Sequence, residues 1–150
     1  MSHPEPMLIG WKETVDLPDW GISHLVVKSD TGARRSSLDA TEIRQIDDDH
    51  VEFNLMLHRR DRSRFLRVRA PITHIGHVKS SNGLKAERFF VSTHLRIGSH
   101  TFPVELSLSN RAGMTCRMLL GRRALEGRFW VDAASRYRVR DRLTTRIAAR

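Results

Sequence analysis

Apolar and polar positions alternate along most of this chain in short runs separated by turn residues, the pattern of half-buried strands. Residues 8–15 form the first run and residues 22–28 the second, with Pro18-Asp19-Trp20-Gly21 as turn chemistry between them. Further strands are predicted over 41–46, 51–57 and 65–70, connected by the acidic Asp47-Asp48-Asp49 and a polar stretch at 58–64. These three read as a β-meander. Residues 72–80 and 86–92 flank Ser81-Asn82-Gly83, and Asn-Gly predicts a hairpin, because both central residues of a type I′ turn need positive φ. Strands at 93–97 and 101–108 follow around a Gly98-Ser99 turn, and then comes the short buried run Met118-Leu119-Leu120. Residues 122–126 alone favour a helix, closed by Gly127, and 129–132 and 137–139 are the last strand candidates. The expected fold is all-β, a barrel or sandwich of short strands with one short helix near the C-terminus.

One stretch, residues 26–38, does more than alternate. Its apolar approach Val26-Val27 ends at Asp30, followed at once by Thr31, Gly32 and Ala33. The β-branched valines favour a strand. Glycine tolerates backbone angles that other residues avoid, and Thr31 and Ala33 are small enough for a second segment to pack close. A carboxylate is thereby held on a tight loop. Asp and Gly are also ordinary turn residues, so on these residues alone a strand-end turn stands beside a catalytic carboxylate.

Composition narrows the class. At 150 residues, 39% hydrophobic and 29% charged, the chain suits one globular domain with its own core. No apolar run reaches the roughly 18 residues of a membrane span, and the start lacks the regions of a secretory signal. Cys116 is the single cysteine, which allows neither an intrachain disulfide nor a thiolate metal cluster. A cytoplasmic protein without membrane association is the expectation. Residues 1–7 read as a flexible tail and 140–150 as a basic tail. The net charge is +9, and 22 of the 26 basic residues are arginines, whose planar fork pairs bidentately with carboxylate or phosphate. Such a surface suits nucleic acid or a carboxylate-rich protein segment, or is simply solvated.

Two separated motifs decide between these readings. Leu25-Val26-Val27-x-x-Asp30-Thr31-Gly32-Ala33 lies early and Leu119-Leu120-Gly121-Arg122-x-x-Leu125 lies late. The pairing resembles the retropepsin-like aspartic peptidases, in which the second run packs beside the first and opens a short helix. Residues 93–106 look like the hairpin that precedes that run. More specifically, residues 8–139 resemble a bacterial family labelled ATP-dependent zinc protease, associated with RimK-type glutamate ligases, whose RimB-like members are retropepsin-like. The matching stretches are Ile9-Gly10-Trp11-Lys12-Glu13, Asp30-Thr31-Gly32-Ala33-Arg34-x-Ser36, residues 78–83, Asn110-Arg111, residues 118–125 and Val131-Asp132. The residues do not follow the label. There is no His-Glu-x-x-His pair and no Gly-x-x-x-x-Gly-Lys-Ser/Thr loop, so no cofactor and no metal is expected. His74 and His77 offer two ligands without a third at diagnostic spacing.

The resemblance implies a retropepsin-like closed β-barrel, spanning 8–139, with a flap hairpin over residues 71–90. Aspartic proteolysis uses two close carboxylates that share a proton, and this chain supplies Asp-Thr-Gly once. A homodimer contributing two copies of Asp30 on a two-fold axis is therefore implied. Thr31 would bond across the axis, and Gly32 would contact the substrate backbone. Ala33, Arg34 and Arg35 fall on the substrate side with Arg122, which braces the loop, and Lys79, Ser81 and Asn82 belong to the flap. In viral relatives the two positions after Asp-Thr-Gly-Ala are acidic and face the substrate. Arg34 and Arg35 reverse that charge, and with Lys79, Lys85 and Arg88 they imply an acidic peptide. The RimK association points to poly-α-glutamate tails on a ribosomal protein, trimmed after the ligase adds them. Two alternatives stay open: a non-catalytic basic barrel that binds RNA or the ribosome, and a zinc peptidase. The 7% aromatic content is low for stacking single-stranded bases.

Overall fold

Every second side chain points inward along Val91, Thr93, Leu95 and Ile97, and again along Phe102, Val104, Leu106 and Leu108; all eight are buried. This two-residue period builds the core. Each such aliphatic or aromatic side chain contributes about 1.5–3 kcal/mol when removed from water. The computed structural model describes residues 5–79 and 81–148. Its strands are β1 (Met7–Leu17), β2 (Ile22–Ser29), β3 (Ser36–Gln45), β4 (His50–Met56), β5 (Phe65–Lys79), β6 (Lys85–Ile97), β7 (His100–Ser109), β8 (Met118–Leu120), β9 (Phe129–Arg136) and β10 (Arg146–Ile147). One short helix, α1 (Arg122–Leu125), and a 3-10 turn at Pro18–Trp20 complete the described elements. None of the helices is long and apolar enough to cross a membrane.

The pairings close on themselves. β1 pairs with β2, β2 with β8, β8 with β3, β3 with β7, β7 with β6, and β6 returns to β1 at Arg96 opposite Asp16. This ring of strands surrounds Leu25, Val27, Leu38, Leu95, Leu106 and Met118. The expected meander is present as β3 to β5, and the antiparallel order continues through β6 to β7, which also returns parallel to β3.

Four local differences have physical causes. The strand expected from residue 41 begins at Ser36, because residues 36–39 pair with β7 and Ser37 and Leu38 also with β8. β5 runs unbroken through Pro71, where it exchanges β4 for β6, so the missing proline N–H falls at the change of partner. Lys79 pairs with Lys85, so the connection, described at 81–84, is longer than the two-residue loop of a type I′ turn; Gly83 takes φ +84°, but Asn82 is not in the left-handed region. Ser80, part of the expected hairpin motif, lies outside the described residues. Residues 137–139 are not a strand. Tyr137 takes φ +51° and the N–H groups of Arg138 and Val139 turn inward to the buried Glu13 carboxylate.

The C-terminal residues run along the ring. Arg140 donates to Asp16 and Thr14, Thr145 donates to the His24 carbonyl, and β10 pairs with β2. At the other end Met7 already pairs with Phe129. The outer parts of the expected tails, 1–4 and 149–150, lie outside the described residues.

Candidate active site

Residues 30–35 form a loop between β2 and β3, and β8 is inserted between the two legs. Val27, Lys28 and Ser29 pair parallel with Met118, Leu119 and Leu120, while Ser37 and Leu38 pair antiparallel with Leu119 and Met118. The ladder continues into the loop: the Asp30 N–H donates to the Leu120 carbonyl at 2.8 Å. On the other leg, the N–H of Arg122 donates to the Ala33 carbonyl at 2.7 Å and that of Arg123 to Arg34 at 3.1 Å. Arg122 also extends its guanidinium to the Thr31 and Gly32 carbonyls, both at 3.1 Å. The Gly121 N–H is taken by Ser36 Oγ at 3.0 Å. The late motif is thus the clamp on the early one.

Asp30 Oδ1 accepts the Gly32 N–H at 2.9 Å, which fixes the carboxylate over its own loop. Gly32 provides room rather than an unusual φ: a Cβ there would lie 3.2 Å from Asp30 Oδ1, a tight contact, and its φ is not positive. Thr31 and Gly32 are exposed and Asp30 is half-buried.

The remaining expected residues divide. Arg34 is exposed, with no ion pair among the described residues. Arg35 has partners inside the fold: its guanidinium stacks on Phe90 at 4.7 Å and lies 3.9 Å from Glu105, which accepts from Thr73 at 2.8 Å. Arg35 therefore ties the loop to the base of the β5–β6 hairpin. Lys79, Ser81 and Asn82 stand exposed at the tip of that hairpin, where Asn82 Oδ1 accepts the Leu84 N–H at 3.3 Å. His74 and His77, three residues apart on β5, alternate to opposite faces and do not converge. Among the described residues no group of three or more His, Cys, Asp or Glu is placed to hold a metal ion.

Sequence reasoning missed a buried charge cluster beside the loop. Asp39 is fully buried on β3 and accepts from the Arg117 guanidinium, from Arg62 at 2.5 and 2.9 Å, and from the Arg111 N–H at 2.8 Å. Arg111 in turn reaches Ser37 Oγ and the Cys116 carbonyl. Burial lowers the Arg111 pKa from its ordinary value, and Cys116 and Asp30 oppose that shift. The available signal was a lone carboxylate between Leu38 and Ala40. Glu13 is its counterpart on β1, fully buried and taking the N–H groups of Gly10 and Arg138 at 2.7 and 2.9 Å.

A clamped Asp-Thr-Gly loop in a ring of strands defines the retropepsin-like class. The model of the RimB-like family, described as retropepsin-like aspartic endopeptidase RimB, matches residues 8–142. The chain belongs to this family. Among curated proteins it is similar to two named "Probable alpha-L-glutamate ligase". That of Parasynechococcus marenigrum is 32% identical over 138 residues, covering 90% of this chain and 30% of the relative. That of Desulfotalea psychrophila is 35% identical over 130 residues, covering 85% and 28%. The chain thus spans less than a third of the length of these relatives. A crystal structure of a Legionella pneumophila protein of unknown function matches with a TM-score of 0.72 at 24% identity, over 89% of this chain and 98% of that one, and shares the fold.

Proposed function

We propose that the chain is an aspartic peptidase for acidic peptide segments, acting as a homodimer with one Asp30 from each copy. The observation that carries this reading is the Asp30 carboxylate itself, held by the Gly32 N–H on a loop braced by Arg122, in a chain of an aspartic endopeptidase family. One Asp-Thr-Gly is half of what proteolysis requires. In the dimer two carboxylates share one proton, because two like charges in contact do not both ionise. The ionised one takes a proton from water as the water oxygen attacks the scissile carbonyl carbon, and the protonated one donates to the carbonyl oxygen. When the tetrahedral intermediate collapses, the C–N bond breaks and the leaving nitrogen takes a proton from the protonated carboxyl. One hydroxyl of the intermediate gives its proton to the other carboxylate, which restores the pair. Thr31 bonds across the axis and Gly32 leaves the backbone open to substrate.

A shallow apolar hollow beside the loop supports a second copy at this face. Thr31, Leu125, Phe129 and Trp130 line it, and Trp130 is 59% exposed. The exposed Arg34, with Lys79 and Lys85 on the hairpin, supports an acidic substrate. The hairpin covers the bound peptide as a flap, its base already joined to the loop through Arg35. The relatives' names, which concern glutamate ligases, support a specific substrate: poly-α-glutamate tails placed on a ribosomal protein by a RimK-type ligase. Incubation with a peptide ending in poly-glutamate, read by mass spectrometry, tests the reading. The wild-type chain is expected to shorten the tail, and Asp30→Asn to leave it intact while keeping the wild-type circular dichroism and molecular mass. Turnover retained by Asp30→Asn would contradict it.

A further inference from the structure

A second concave site lies apart from the Asp30 loop, where β1 and β2 meet the 57–64 connection, residues 115–117 and the C-terminal segment. It encloses about 440 Å³. Lys12, His58, Arg59, Arg64, Arg117 and Arg142 line it, and no carboxylate does. Asp61 acts on His58 and Arg64, but the charge of Arg117 is only partly neutralised from behind. Arg117 is 2% exposed, and its carboxylate partner, Asp39, is shared with Arg62, so two guanidinium cations meet one carboxylate. The Arg117 Nε–H is buried and has no partner among the described residues. His58 Nδ1 accepts the N–H groups of Arg60 and Asp61 at 3.1 and 2.9 Å, which leaves Nε2 as the protonated nitrogen and a donor. Two of the lining cations act on Cys116: burial raises its thiol pKa, and Lys12 and Arg59, with Arg111 and Lys28, pull against that rise.

Strand β2 leads from the cleft towards the loop. Lys12 faces Lys28 across the β1–β2 ladder, and Lys28 precedes Asp30 by two residues, roughly 7 Å of strand. Val26, which lines the cleft, and Lys28 alternate onto one face of β2, and Asp30 follows directly after the strand. Arg142 and Thr144 come from the C-terminal segment, so the basic end of the chain is folded into a wall of this site. No Phe, Tyr or Trp lines it, which favours carboxylates over nucleotides, whose bases need stacking partners.

We propose that this cleft is a second anion site, holding side-chain carboxylates of an acidic peptide whose neighbouring residues lie at Asp30. The proposal rests on the acidic-peptide reading above and extends it: length and charge of the substrate are sensed away from the bond that is cut. The test uses full-length Asp30→Asn protein, which binds without cleaving, and fluorescence anisotropy of labelled decaglutamate. Adding Arg59→Ala and Arg142→Ala together is expected to weaken binding about tenfold, the sum of two solvent-screened charge contacts. Arg44→Ala with Arg69→Ala, two arginines removed elsewhere on the surface, is expected to change it less than about twofold. Equal losses in the two pairs overturn the proposal, as does a labelled single-stranded RNA that binds more tightly than decaglutamate and is lost with Arg59 and Arg142. Should the double variant fail to fold, Arg142→Ala alone carries the test with an expected loss of about threefold. A wild-type chain that cleaves nothing, with decaglutamate binding still dependent on Arg59 and Arg142, rejects the peptidase reading and leaves the site standing.

Discussion

Gly121 sits where two chain segments come closest, and a Cβ there would lie 2.5 Å from the Arg35 carbonyl oxygen and 2.9 Å from that of Ala33. Backbone cannot yield as a flexible side chain does, so Gly121→Ala is expected to cost about 1–3 kcal/mol in urea unfolding and to depress activity by displacing the Asp30 loop. An unchanged midpoint would mean that the clamp is softer than its geometry. At this scale the sequence was legible where paired motifs mark a place in the fold, as Asp30-Thr31-Gly32 and Leu120-Gly121-Arg122 mark the clamped loop. It was less so where the reason for a residue lies across the fold. Gly32 is a matter of room beside Asp30 Oδ1 rather than of φ. Arg35, expected on the substrate side, also stacks on Phe90 and lies 3.9 Å from Glu105, contacts that the sequence did not reveal. Asp39 had no visible partner in the sequence because Arg62 and Arg117 lie 23 and 78 residues away.

Strands that alternate cleanly, such as β6 and β7, were readable from period two alone, and the helix before Gly127 from its helix-favouring residues. What periodicity does not carry is pairing. The parallel contacts β1–β9, β2–β8 and β3–β7 join segments distant in sequence, and the first half of β3 is a strand only because β7 and β8 hold it. The C-terminal segment is the same kind of case, anchored by Arg140. Burial raises the Asp16 pKa, but the Arg140 guanidinium, the His24 N–H and Arg96 together hold it below its ordinary 3.8. A carboxylate depressed in the folded state stabilises above its unfolded pKa and loses that contribution as pH falls through the folded value. Arg140→Ala is therefore expected to lower stability by about 1–3 kcal/mol at pH 7. The gap from wild type should close as the pH is taken below 3.8, measured by urea titration at each pH. A gap independent of pH would remove Asp16 from the explanation.

The whole molecule offers a ring of strands, a projecting hairpin, a cationic surface and one Asp-Thr-Gly loop, and the proposed chemistry needs two such loops. The edge strand β9 carries the exposed Trp130 next to the hollow that Thr31 borders. Trp130→Glu is expected to yield a monomer by sedimentation and to abolish cleavage with little change in thermal midpoint, since the side chain is mostly in water. An active monomer would refute the shared site. The central claim, that each active site takes one Asp30 from each of two chains, is tested most directly by mixing. Wild-type and Asp30→Asn chains are combined at equal amounts under conditions that exchange subunits, and the rate on a glutamate-extended peptide is measured at constant total protein. A shared dyad leaves about a quarter of the wild-type rate, because only dimers with two intact chains work. A rate of about one half would mean that each chain acts alone.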